Sequence, residues 1–159
     1  MLLQIFQDAL FAAIAAIGFA AISTPPRNAY GWCAVIAAIG HSLRFVLMNA
    51  PTQLHIIPAT LGSAFAIGTL AVFLSPRARI PAETCLFPAL LPMIPGTYAY
   101  KAFGGLALCL LSEGQDAFGR NFYLFAHNAL MCSCLLLCMV LGATLPIFLF
   151  QKISFRATR

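Results

Sequence analysis

The chain has 159 residues, 62% of them hydrophobic and only 8% charged, where soluble domains carry roughly 25% charged residues. Nine Lys plus Arg and four Asp plus Glu cannot clothe a 17.1 kDa globule in water, and a mean hydropathy of +0.92 exceeds what one core can hide. The net charge of +5 comes from scattered bases with no stripe to follow phosphates, which excludes nucleic acid as a partner, and the six cysteines are too diluted for a secreted disulfide scaffold. The composition is that of an all-α integral membrane protein, with residues 1–159 reading as a single transmembrane domain in a lipid bilayer.

A spanning helix needs about 20 apolar residues, because ~30 Å of hydrocarbon is crossed at 1.5 Å per residue. Five segments meet that length. The first runs from Leu2 to Ile22 and stops at Ser23-Thr24-Pro25-Pro26-Arg27, where the prolines end a helix. It lacks a basic leader and carries Asp8 early, so it reads as a retained helix, not a cleaved signal. The second runs from Asn28 to Asn49 and stops before Pro51. The third covers Ile56 to Leu74 and stops at Ser75-Pro76-Arg77. The fourth, Ala82 to Leu111, is interrupted by Pro88, Pro92, Pro95 and Gly96. The fifth runs from Asn121 to Phe150 and ends in the basic tail Lys152, Arg156, Arg159.

The second segment contains His41 and Arg44, and a mid-membrane Arg costs roughly 2.5–3.5 kcal/mol on insertion scales. Charge placement decides whether it crosses. With five crossings, Arg27, Arg77, Arg79, Lys152, Arg156 and Arg159 share one side, while Arg120 with Glu113 and Asp116 sit opposite. Without the second crossing the asymmetry shrinks. The positive-inside rule therefore favours about five transmembrane helices, N-terminus outside and C-terminus cytoplasmic. Four spans plus a tilted or re-entrant second segment is the alternative. An odd number of spans cannot form an inverted pair of equal halves, so any partner repeat lies on another chain.

Function is sought among the polar residues that are expensive to bury. His41 and Arg44 are three apart and share a helix face, forming a cationic site for a carboxylate. The competing reading is an Arg44 that snorkels to headgroups. In the fourth segment, the break at Pro92, Pro95 and Gly96 removes backbone donors and favours an unwound stretch facing protein or a cavity. A half-helix starting at Gly96 or Thr97 would aim its positive dipole end at an anion. Pro95, Gly96, Thr97, Tyr100 and Lys101 thus join His41 and Arg44 as candidate substrate-binding residues, against the plainer reading of a kinked helix. Acids are scarce. Any proton carried by this chain falls to His41 or Asp8, and Glu83 is expected to pair with Arg79. Cys132, Cys134 and Cys138 read as small thiols at a helix interface, His127-Asn128 as hydrogen bonding across helices, and His55 as interfacial. No catalytic triad, phosphate loop or zinc spacing is present, so no enzyme, metal or cofactor is expected.

The stretch Gly31-Trp32-Cys33-Ala34, then Ile39-Gly40-His41-Ser42-Leu43-Arg44 on to Leu47-Met48, followed by Leu91-Pro92-Met93-Ile94-Pro95-Gly96 and Ala99-Tyr100, resembles the threonine/serine exporter family. It is closest in type to that family's small subunit, a short chain separate from a larger membrane subunit. The resemblance runs nearly the whole length. It implies a bacterial inner-membrane exporter of small carboxylate-bearing metabolites, either threonine/serine-type amino acids or a dicarboxylate such as succinate. It also implies a hetero-oligomer with the larger membrane subunit. The alternative is a non-transporting scaffold or stability subunit of that complex. No catalytic residue is implied.

Overall fold

The computed structural model describes residues 1–49 and 53–154. Proline, glycine and left-handed residues end the helices, and the apolar runs between them are helical. In order these are α1 (Leu2–Ser23), α2 (Ala29–Asn49), α3 (Ile56–Ala78), α4 (Ala82–Leu90), a 3₁₀ turn (Leu91–Met93), α5 (Gly96–Leu110), α6 (Gln115–Leu149) and α7 (Gln151–Ser154). Four of them, α1, α2, α3 and α6, are long and apolar enough to cross a membrane. The fourth predicted segment is the pair α4 and α5, broken where the prolines fall. The doubtful second segment is an uninterrupted helix of 21 residues. Pro51, Arg156 and Arg159 lie outside the described residues.

The chain divides into two compact units, Met1–Met93 with Cys138–Arg159, and Ile94–Leu137. In the first, α1 packs mainly on α2, α2 on α3 and α4, and α3 on α4 and α7. Lipid is as apolar as leucine, so such helices associate through close packing. Small residues accordingly occupy the contacts. The buried positions of α1 are Ala12, Ala16 and Ala20, one stripe at helical spacing, while Leu3, Phe6, Phe11 and Ile14 stay exposed. Gly40 lies against the Ile67 side chain, Gly68 against the backbone of Ala143, and Gly142 against the backbone of Leu61 and Phe65. In the second unit Gly105 of α5 lies under the backbone of Phe125. Asn121 donates to the Ser112 hydroxyl at 2.7 Å, tying the turn shut beside Gly114, whose φ of +99° suits glycine.

The structure corrects several expectations. The third segment does not stop at Ser75; α3 continues through Pro76 to Ala78. Pro76 deprives the Val72 carbonyl of its helical donor, and the Ser75 hydroxyl donates to that carbonyl at 2.9 Å. The end of α3 is closed by left-handed Arg79 (φ 54°) and by Asn28, which donates to the Ala78 carbonyl at 2.7 Å. The same repair occurs in α4: Pro88 frees the Thr84 carbonyl, and the Cys33 thiol lies 3.7 Å from it. The fifth segment starts earlier than Asn121, at Gln115, so Asp116 and Arg120 are helical. Asp116 in the first turn matches the helix dipole.

Glu83 forms no ion pair with Arg79 among the described residues; it occupies the first turn of α4, where the dipole favours it. Asn128 donates to Leu124 of its own helix at 2.7 Å, not across helices. The buried stripe of α6 is Leu135, Met139, Ala143 and Ile147, which leaves Cys134 exposed. His55 caps α3, its Nδ1 accepting from the Ile57 N–H at 3.4 Å.

Candidate functional site

Two features of α2 position the ionisable residues. Gly40 admits Ile67 of α3 so closely that any side chain at 40 would overlap it, which fixes the rotation of α2 against α3. His41 is then turned inward, 8% exposed, and Arg44 lies on the same face three residues on. Opposite them α1 presents Asp8. Its carboxylate Oδ2 stands 3.2 Å from His41 Nδ1, with the Asp8 side chain 32% exposed. When the carboxylate is ionised it only accepts, and the contact then requires a ring proton on Nδ1. His41 Nε2 is left buried without a hydrogen-bond partner.

Arg44 does not reach outward alone. Its Nη1 donates to the Met93 carbonyl at 3.3 Å, at the end of the 3₁₀ turn where Pro92 and Pro95 interrupt the helical ladder. Such freed carbonyls need donors inside a bilayer, and a guanidinium supplies one while keeping further N–H groups of its fork. Beside this cluster lies a cavity of about 220 Å³ lined by Asp8, Phe11, Ala12, Ala15, His41 and Pro92. That is far above the ~10–15 Å³ that admits one water.

Pro95, Gly96, Thr97, Tyr100 and Lys101 form the start of α5 in the second unit. Gly96 is open, since a Cβ there would meet nothing within 4 Å. Thr97, Tyr100 and Lys101 are exposed. The first-turn donors are largely committed: the Gly96 N–H bonds the Ile94 carbonyl at 2.8 Å, and those of Tyr98 and Ala99 bond Pro95 at 3.1 Å. Among the described first-turn groups, Thr97 N–H is the donor left for an anion. His41 and Arg44 thus share one face of α2, and the structure sets Asp8 against His41 and the Met93 carbonyl against Arg44, neither of which was among the predicted site residues. Asp8 was readable as an acid placed two turns inside an apolar helix; the Met93 carbonyl had no sequence signal beyond its flanking prolines.

A polytopic all-α membrane protein with an acid, an imidazole and a guanidinium clustered between its helices has the anatomy of a transport protein, since intramembrane charge is retained where a solute or ion must pass. The chain belongs to the threonine/serine exporter family: the family model described as "Threonine/Serine exporter, ThrE" matches residues 8–149. It is also similar to an uncharacterized protein of Haemophilus influenzae, 34% identical over 151 residues, which cover 95% of this chain and 49% of that protein. The chain therefore spans about half the length of the curated relative it matches. No solved structure matches.

Proposed function

We propose that this chain is one component of a bacterial inner-membrane exporter for small carboxylate-bearing metabolites, threonine or serine or a dicarboxylate such as succinate. The observation that carries the reading is Arg44: a permanent cation within an apolar helix, braced on the Met93 carbonyl in a chain of an exporter family. A carboxylate leaving water loses its hydration, and only a fixed opposite charge with oriented donors compensates. A guanidinium fork meets a carboxylate bidentately. Within the second unit, the open start of α5, from Pro95 through Gly96 and Thr97 to Tyr100 and Lys101, is a separate candidate contact for substrate.

A relative of which the 151 matched residues make up only 49% supports a functional unit larger than this chain, with a larger membrane subunit as partner. The positive-inside rule supports an N-terminus outside and a C-terminus inside, with Arg27, Arg77, Arg79 and Lys152 on the cytoplasmic face. The test is efflux of preloaded threonine and succinate from cells lacking this chain, the larger subunit, or both. Loss of efflux in each single deletion, restored by the missing gene, supports the reading. Full efflux without this chain makes it a scaffold and overturns the proposal.

A further inference from the structure

The carboxylate reading leaves a charge problem that the site itself can solve. Among the described residues of the first unit, the charged and titratable groups facing Asp8 come from α2, namely His41 and Arg44. On α4, Glu83 lines a different cavity with Ser23, Pro25 and Pro26, at the far end of α1, and Cys85 is buried in the apolar core. The 3₁₀ turn brings no ionisable side chain. With Asp8 ionised and His41 neutral, Asp8 and Arg44 cancel. A docked carboxylate adds one uncompensated negative charge in a low-dielectric recess, which is costly unless another positive charge arrives.

One group is built to receive it. With Asp8 ionised and His41 neutral, Nδ1 is the donor in the 3.2 Å contact with Asp8, so the lone pair sits on Nε2, which is buried and has no partner. Unpaired buried polar atoms are rare because each gives up its hydration without a replacement hydrogen bond. Protonation at Nε2 turns that orphan acceptor into a donor for a bound carboxylate, while Asp8 is already in place as counter-ion to the imidazolium. We propose that His41, with Asp8 as its counter-ion, takes up one proton at Nε2 whenever an anionic carboxylate docks at Arg44, so that the site moves one proton together with an acid that has no ammonium group. On the loading side a hydronium O–H bond breaks as the Nε2–H bond forms; on the other side the Nε2–H bond breaks and the proton passes back to water as the acid leaves. An amino-acid zwitterion brings its own positive charge and needs no proton. This rests on the carboxylate reading of Arg44.

The experiment uses inverted membrane vesicles from cells expressing the full chain with its partner subunit. Uptake of labelled succinate and of labelled threonine is measured between about pH 6 and pH 8, with external pH followed in weak buffer. The succinate KM should rise toward tenfold per pH unit, the slope of one linked proton, with one proton taken up per succinate; threonine should show neither effect. In His41→Gln and Asp8→Asn at normal membrane levels, the succinate KM should lose its pH slope, whatever the residual rates of succinate and threonine uptake. Arg44→Gln should lose saturable uptake of both at every pH, and normal uptake in that variant sinks the carboxylate reading itself. Wild-type succinate uptake without proton uptake overturns the proton proposal alone. So does an unchanged slope in His41→Gln, or wild-type vesicles that carry threonine but no succinate at any pH.

Discussion

Gly40 couples packing to the site. Changing it to Ala adds a methyl group that overlaps Cγ1 and Cδ1 of Ile67, a side chain with no exposed surface. Overpacking costs about 1–3 kcal/mol, while replacing a helical glycine returns up to ~1 kcal/mol of propensity, so a net loss of about 1–2 kcal/mol is expected. The colliding atoms belong to a side chain, so a second change should relieve them. Ile67→Ala alone leaves a void and destabilises by ~2–5 kcal/mol, but in the Gly40→Ala background the added methyl fills part of that void. The two losses should therefore fall short of additivity by about 1 kcal/mol or more in a double-mutant cycle of unfolding in detergent. Because Gly40 precedes His41, the single variant should also lower export and the double variant recover part of it. Strictly additive losses would falsify the assigned contact between α2 and α3.

Two further outcomes follow from local geometry and charge. Ser75→Ala leaves the Val72 carbonyl, already deprived by Pro76, without its 2.9 Å donor; it should cost about 1–3 kcal/mol and speed amide exchange at the end of α3, and unchanged stability and exchange would show the hydroxyl to be idle. A reporter fused after Arg159 should report cytoplasm and one inserted at Gln115 the opposite side; both on one side would mean that α6 does not cross.

Helix positions were legible because bilayer thickness fixes the length of an apolar run, and Pro25, Pro95 and Gly96 mark real ends. Pro76 misled because proline ends a helix only when nothing replaces its missing hydrogen bond, and here Ser75 does. The pairing of His41 with Arg44 followed from helical periodicity within one segment. Asp8 joining them depends on the packing of α1 against α2 through Ala12, Ala16 and Ala20, and alanines in an apolar run do not declare which neighbour they face. Glu83 was misassigned for a related reason: a nearby opposite charge in sequence competes with a helix N-terminus, and the dipole won. Most of the first-turn donors of α5 proved to be taken by Ile94 and Pro95, because backbone groups in the break satisfy one another locally.

The central claim is that Arg44 binds the substrate's carboxylate, and the most direct measurement is export by Arg44→Gln at verified membrane level and subunit association. Each charge-assisted hydrogen bond contributes ~1.5–3 kcal/mol, so losing a bidentate pair should lower apparent affinity by a factor of about a hundred or more at 1.4 kcal/mol per tenfold. Arg44→Lys should be impaired as well, since a point charge cannot replace the fork. Efflux of threonine or succinate from Arg44→Gln cells should fall to the level of cells lacking the chain. Efflux at the wild-type rate from a correctly inserted Arg44→Gln protein would make Arg44 a membrane anchor and contradict the account.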